Sequence, residues 1–362
     1  MQTSDFDFEF PPELTAHVPA DKRDHSRLMV LTRQSQTIEH KHFYDIVDYL
    51  KPGDLLVIND TKVMPANLVG RKEEGGAKVE VLLVRPKTTD KRPKTWECLV
   101  KPGKRIKVGS RVIFGEDEVV GTVIEKTETG EQIIEFEGKL DEYMHKFGEM
   151  PLPPYVKPLT PFSPSPLLRG KGIGDRGSLR ARYQTVYAKK EGAAAAPTAG
   201  LHFTPELLKK IKSKGVEIAH LTLHTGLATF KPIYADKIED HTMHSESFEI
   251  PAETIEAVKK AKRVIAVGTT SVRALETMGG RTQNAEHGAR NAGRSGETNL
   301  YVYPGYQFKV VDAMITNFHW PRTSLILLVS AFAGKEFIRQ AYQAAIQEQY
   351  RFFSFGDAMI IM

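Results

Sequence analysis

The spacing of apolar residues changes character twice along the chain, and this double switch restricts the fold more than any other feature. Between residues 63 and 136, short β-rich runs recur at 79–84, 96–100, 111–114, 119–125 and 132–136. Gly or Lys-Pro-Gly turns separate them, as at Lys101-Pro102-Gly103 and Thr129-Gly130. Several short strands with regular turn signals predict a small antiparallel barrel. On the N-terminal side the pattern is mixed. Phe6, Phe8 and Phe10 alternate with acidic residues, a strand signature, and residues 42–50 have helical spacing that stops at Lys51-Pro52-Gly53. Residues 54–58 read as a buried strand running into Asn59-Asp60-Thr61-Lys62. After Met150-Pro151-Leu152-Pro153-Pro154, strand and helix patterns alternate. Thr204-Pro205 combines a hydroxyl cap with proline at the first helical position, Leu207, Leu208 and Ile211 supply an apolar face, and Lys214-Gly215 ends the helix. Strands are expected at 216–223, 264–267, 300–303 and 308–311, and helices at 255–261, from Ser271, and near Leu325 and Ala341. The expected architecture is α/β: a mostly parallel sheet flanked by helices, with an inserted small antiparallel β-barrel domain. Residues 1–62 and 151–362 would form the discontinuous α/β domain and 63–150 the barrel.

At roughly 100–200 residues per domain, a chain of 362 residues accommodates this plan. With 41% hydrophobic and 26% charged residues it has an ordinary globular composition, which argues against a disordered or collagen-like chain. Cys98 is the only cysteine, so an intrachain disulfide and a thiolate cluster for zinc or an iron–sulfur centre are excluded. Met1-Gln2-Thr3-Ser4-Asp5-Phe6 lacks a basic region followed by an apolar core, and the apolar stretch 324–333 is short of the roughly 20 residues a spanning helix needs. A reducing, cytoplasmic location without membrane attachment is expected. The net charge of +5 permits an acidic partner such as RNA without requiring one. Residues 157–181, rich in Pro and then Gly, and 279–299, rich in Gly, Asn, Arg and Ala, read as flexible loops. The first carries Lys157, Arg169, Lys171, Arg176 and Arg180 against Asp175 alone, so most of the net charge resides there. That loop is either an electrostatic tether for a polyanion or a solvated linker.

Among the motifs, Gly172-Ile173-Gly174-Asp175-Arg176-Gly177 fits the dinucleotide pattern but follows Pro161, Pro164 and Pro166 instead of a strand, so it is set aside. Asp240-His241-Thr242-Met243-His244-Ser245-Glu246 groups histidines with carboxylates. Its spacing does not put ligands on one helical face, and a polar loop is favoured over a metal site, with proton transfer left open. Val264-Ile265-Ala266-Val267-Gly268-Thr269-Thr270-Ser271-Val272-Arg273 leads from a buried strand through Gly and three hydroxyls into a helix start. Either the hydroxyls only cap the helix, or they and the positive dipole end bind an anionic ligand at the carboxyl end of a strand. Thr198 and His202, in a compact loop ahead of a helix, could face a ligand or order the turn, and His319 sits beside an aromatic before another helix. For any one of these histidines a structural role is the better reading; His202, His224, His244 and His319 together in one α/β domain strengthen the functional one.

These segments resemble the S-adenosylmethionine:tRNA ribosyltransferase-isomerases of queuosine biosynthesis. The resemblance rests on Asn59-Asp60-Thr61-Lys62-Val63-Met64-Pro65-Ala66, Met150-Pro151-Leu152-Pro153-Pro154-Tyr155 and Arg182-Tyr183-Gln184-Thr185-Val186-Tyr187-Ala188. It continues through Ala196-Pro197-Thr198-Ala199-Gly200-Leu201-His202-Phe203-Thr204, Gly268-Thr269-Thr270-Ser271-Val272-Arg273 and Asn317-Phe318-His319. It ends with Tyr350-Arg351-Phe352-Phe353-Ser354-Phe355-Gly356-Asp357-Ala358-Met359. It implies an α/β catalytic domain with an inserted barrel, and an enzyme that transfers and isomerises the ribosyl group of S-adenosylmethionine. The acceptor would be the 7-aminomethyl-7-deazaguanine at the wobble position of tRNA, and the products epoxyqueuosine, adenine and methionine. S-adenosylmethionine would be a co-substrate, with no prosthetic group and no metal, in a monomeric cytoplasmic protein. The acid–base candidates are His202, His244, Glu246 and His319. The substrate-binding candidates are Asn59, Asp60, Thr61, Lys62, Arg182, Tyr183, Gln184, Thr198, Gly200, His224, Gly268, Thr269, Thr270, Ser271, Arg273 and Asn317. Of these, Asp60 and Lys62 would orient ribose or tRNA, and Thr269, Thr270 and Ser271 would take the methionine carboxylate. The chain departs from the family pattern in its long basic 157–181 connector, in the composition of 279–299, at Thr225 and Ala228, and at Trp320 in place of a usual Leu.

Overall fold

The computed structural model describes all residues except 88–93, 128–129, 154, 157–178, 180, 227–231 and 280–292. The glycine motif 172–177 and nearly all of the basic 157–181 connector lie outside the described residues. The chain divides into two compact units: Met1–Thr61 with Pro153–Lys190 and Ala196–Met362, and Lys62–Leu152 with Glu191–Ala195.

The first unit is built on a nine-stranded sheet. Its order is Arg294–Thr298, Glu246–Ile250, Glu217–Leu223, Asp54–Asn59, Arg263–Val267, Ala313–Asn317, Ala358–Ile361, Arg27–Thr32 and Thr37–His42. The central strands, from Glu217–Leu223 to Ala313–Asn317, run parallel, and antiparallel strands extend both margins. Every residue of Asp54–Asn59 is buried, as expected of a parallel strand covered on both faces. Its side chains alternate between two cores. Leu55 and Val57 join the helices Ala252–Lys260, Thr269–Thr277, Ser324–Ala333 and Lys335–Gln347 on one face, while Leu56 and Ile58 join Phe43, Ile46 and the helix Pro205–Ser213 on the other. Thr204 caps that last helix by accepting the Leu207 N–H at 3.1 Å, and Gly215, at φ +84°, follows its end.

Three sequence readings are corrected here. Phe6, Phe8 and Phe10 are not in a strand: Thr3–Phe6 is a 3₁₀ turn, and the rings pack edge-on against Tyr342 (Phe8) and Trp320 (Phe10). Their alternation serves aromatic packing without a ladder. Residues 300–303 and 308–311 are not strands either. The buried Glu276 carboxylate accepts the N–H groups of Lys309, Val310 and Val311 at 2.9–3.0 Å, satisfying backbone that a neighbouring strand would otherwise serve. Within 279–299, Arg294–Thr298 is a strand paired with Glu246–Ile250, not a loop, while 280–292 lie outside the described residues.

The second unit is a closed antiparallel barrel of six strands: Gln132–Gly138, Thr95–Lys101, Lys78–Pro86, Asn67–Lys72, Arg111–Phe114 and Val119–Lys126, which pairs back with the first. The expected runs all appear. Asn67–Lys72 was not among them, because its polar sequence with Gly70 hides the period. A Cβ on Gly70 would lie 2.6 Å from the Ile113 carbonyl, so only glycine lets those strands approach. Val79, Val81, Leu83 and Cys98 point into the core, and burial pushes the Cys98 thiol well above its usual pKa.

Candidate active site at the carboxyl edge of the sheet

The parallel strands end side by side at Asn59, Leu223, Val267 and Asn317, and ligands of open α/β sheets bind outside such carboxyl ends. Asn59 is fully buried and fully used. Its Nδ2 donates to the Leu223 carbonyl (3.0 Å) and to Thr270 Oγ1 (3.3 Å), and its Oδ1 accepts the N–H groups of Thr61 (3.1 Å) and Leu223 (3.0 Å). It therefore locks two strand ends and a helix start together. Asp60 Oδ1 accepts the Thr222 hydroxyl at 2.7 Å, and Thr61 Oγ1 lies 2.8 Å from His224 Nδ1. Burial lowers the His224 pKa, with Asp60 opposing.

Gly268, at φ +86°, turns the chain from strand to the helix Thr269–Thr277, and its N–H donates to the Ile315 carbonyl at 2.8 Å. The three hydroxyls that follow are not equivalent. Ser271 donates back to the Val267 carbonyl at 2.7 Å and Thr270 receives Asn59, so both serve the frame. Thr269 makes no side-chain hydrogen bond among the described residues. One turn on, Arg273 forms a buried ion pair with Glu246 and donates to the Leu300 carbonyl at 3.0 Å. The other Glu246 oxygen accepts the Gly226 N–H at 3.2 Å. The carboxylate is thus held on both sides.

His202 ends the 3₁₀ turn Thr198–His202 and is buried. Its ring stacks on Phe43, and Nδ1 lies 2.7 Å from Ser26 Oγ. Burial drives its pKa down to about 4 against an opposing contribution from Asn317, so the imidazole is neutral at pH 7. His202 Nε2 and Asn317 Oδ1 are both buried without a well-formed hydrogen bond among the described residues, as are Thr185 Oγ1 and Tyr187 OH beside Gly200. Each such orphan costs about 1–3 kcal/mol, so the 198–202 turn gathers polar atoms that a ligand could satisfy. Gly200 is required there, since a Cβ would sit 2.1 Å from Tyr187 OH. His319 is likewise held neutral, its pKa pushed by burial to about 3, with Nε2 2.8 Å from Thr316 Oγ1.

The remaining candidates lie elsewhere or do other work. His244 is exposed in the loop before Glu246–Ile250. Arg182 donates to the carbonyls of Asp21 (3.0 Å) and Ala20 (2.5 Å), tying down the N-terminal segment. Tyr183 is fully buried with its ring against Phe355, and Gln184 follows it half-buried. Lys62 belongs to the barrel unit, where it pairs with Glu191 at 2.7 Å. Three contributors escaped sequence reasoning: Ser26 on His202, Thr222 on Asp60, and Asp357, whose carboxylate accepts the N–H groups of Arg27 (2.8 Å) and Arg351 (2.7 Å). Asp357 lay within a quoted motif; Ser26 and Thr222 carried no local signal. Among the described residues no three His, Cys, Asp or Glu side chains are grouped to hold a metal, and no helix is long and apolar enough to cross a membrane.

A polar, partly unsatisfied cluster at the carboxyl edge of a parallel sheet, in a chain that also carries a closed barrel, defines an α/β protein with a candidate small-ligand site at the strand ends. The model of the queuosine biosynthesis protein family matches residues 3–361, and the chain belongs to that family. A crystal structure of S-adenosylmethionine tRNA ribosyltransferase from Thermotoga maritima is similar, with 36% sequence identity and a TM-score of 0.53 over 99% of this chain and 100% of that one.

Proposed function

We propose that the protein is an S-adenosylmethionine-dependent tRNA ribosyltransferase-isomerase. It moves the ribosyl group of S-adenosylmethionine onto the aminomethyl group of 7-aminomethyl-7-deazaguanine at the tRNA wobble position, forming epoxyqueuosine and releasing adenine and methionine. The observation that carries this reading is the 36% identity to S-adenosylmethionine tRNA ribosyltransferase over nearly the whole of both chains. S-adenosylmethionine acts as co-substrate with no prosthetic group, and the working protein is a cytoplasmic monomer.

The reaction needs a base to take a proton from the acceptor amine or from the ribose carbon next to the sulfonium, and a donor for the departing adenine. A neutral, buried imidazole whose Nε2 lacks a well-formed hydrogen bond and has Asn317 beside it suits the first task, which favours His202. His319 is the second neutral imidazole, and His244 and Glu246 complete the acid–base set. Asn317 Oδ1 and Thr269 are suited to polar atoms of the substrate, while Arg273 orients Glu246. The test mixes the protein with S-adenosylmethionine and tRNA bearing 7-aminomethyl-7-deazaguanine and follows adenine release. Absence of adenine with folded protein defeats the reading. In single-turnover kinetics His202→Ala should be slower by about 10²–10⁴; wild-type rates in all of His202→Ala, His244→Ala and His319→Ala would remove the acid–base assignment.

A further inference from the structure

The barrel unit pairs most of its surface cations with carboxylates. Arg71 meets Asp117 (3.1 Å), Lys72 meets Glu74 (3.6 Å), Lys78 meets Glu80 (3.0 Å), Arg85 and Lys87 meet Glu97 (2.9 and 3.6 Å), and Arg111 meets Glu73 (3.7 Å). Among the described residues Lys94 and Lys146 also lack a carboxylate within 4.0 Å, but only one turn groups several such cations. Lys101 ends the strand Thr95–Lys101, Lys104 and Arg105 lie on the 3₁₀ turn Gly103–Arg105, and Lys107 follows. All four are exposed and none has a carboxylate within 4.0 Å among the described residues. Lys126 joins them from the strand Val119–Lys126, its ammonium 3.4 Å from the Gly103 carbonyl.

The turn is built to hold these cations in place. Ile106, only 2% exposed, anchors it in the barrel core between Arg105 and Lys107. Gln132 Nε2 donates to the Gly103 carbonyl at 3.4 Å, and the Lys107 N–H donates to Ser110 Oγ at 3.0 Å. Like charges carried on one short turn repel one another, and among the described residues no carboxylate within 4.0 Å offsets them. A polyanion relieves the repulsion and releases counterions as it binds.

We infer that this turn, carrying Lys101, Lys104, Arg105, Lys107 and Lys126, is a docking surface for the phosphate backbone of the RNA substrate. The assignment rests on the proposed reading of tRNA as that substrate. It makes the barrel a positioning device whose contacts are electrostatic and indifferent to base sequence.

The experiment compares wild type with Lys104→Glu/Arg105→Glu and with a control of equal charge change, Lys78→Glu/Lys139→Glu, all shown to melt alike. Binding of labelled tRNA is titrated from low to physiological salt, and adenine release is followed in parallel. The turn variant should bind tRNA about tenfold or more weakly, and its plot of log affinity against log salt should be shallower by about two. Its KM for tRNA should rise while its KM for S-adenosylmethionine at saturating tRNA stays that of wild type. The control should keep the wild-type slope. A turn variant that matches the control in affinity and slope overturns the inference. If wild type releases no adenine yet binds tRNA in a salt-dependent way that only the turn variant loses, the transferase reading fails and the docking surface stands.

Discussion

The two units treat charge in opposite ways. In the α/β unit, ionisable groups are taken out of water and pinned: Glu246 to Arg273, Asp54 to Arg263 in a two-bond fork, Glu276 to three backbone N–H groups, and His202 and His319 as neutral rings. In the barrel unit Glu131 is the one fully buried charge among the described residues, and apart from the half-buried Glu97 the paired carboxylates stay largely in solvent. Buried charges hold a fixed geometry, which suits the recognition of a small ligand and proton transfer. Exposed charges on a rigid barrel act over a distance and are screened by salt, which suits a large polyanion.

The largest test of this contrast is Arg273→Ala. It leaves the Glu246 carboxylate buried with only the Gly226 N–H, and stability in urea should fall by about 3–5 kcal/mol. A loss below ~1 kcal/mol would mean the carboxylate reaches water and the contrast is false. Acidification is the next test. His202 and His319 are depressed from 6.5 to about 4 and about 3, so below pH 6.5 the unfolded chain takes up protons that the native state refuses. Their contribution is present above pH 6.5 and is lost as pH falls towards 4 and 3, with a slope of up to ~1.4 kcal/mol per pH unit for each ring. His319→Gln should flatten the profile by one such contribution, measured by denaturation from pH 7 to pH 4; an unchanged slope would place the ring in solvent. The smallest effect is expected on the barrel. Lys139 and Glu142 form an exposed pair at 3.1 Å, and Glu142→Gln should move the melting free energy by no more than about 0.5 kcal/mol. A larger change would show that the barrel too depends on fixed ion pairs.

Legibility followed the range of the interactions. The barrel strands at 79–84, 96–100, 111–114, 119–125 and 132–136 were readable because each is a short β-rich run set off by Gly or Lys-Pro-Gly turns, a signal carried by neighbouring residues. Asn67–Lys72 was not, because its place depends on Gly70 fitting under Ile113. The strand Ala358–Ile361 was missed for a related reason: four apolar residues near the chain end carry no period, and only pairing with Arg27–Thr32 and Ala313–Asn317 defines them. Residues 300–311 were misread because an apolar run signals burial without saying which partner satisfies its backbone. Here Glu276 does so from a helix.

The candidate site divides along the same line. That a buried strand leads through Gly268 into a hydroxyl-rich helix start could be read from residues 264–273, because capping chemistry and strand periods are local, whereas Asn59 and Asn317 entered as site candidates only through the family resemblance. Which of those groups would be consumed by the frame could not be read. Thr270 and Ser271 have the same local chemistry as Thr269, yet one binds Asn59 and the other its own strand, leaving Thr269 without a side-chain hydrogen bond among the described residues. His202 and His244 looked alike in sequence; tertiary packing buries one against Phe43 and Ser26 and leaves the other in water. The sequence by itself therefore determined the plan of an α/β sheet with an inserted barrel, which follows from local runs and turns, while the set of polar site candidates came from the family resemblance. Tertiary structure alone decided which polar atoms remain free, because a hydrogen-bond partner and the loss of solvent are set by residues far apart in the chain.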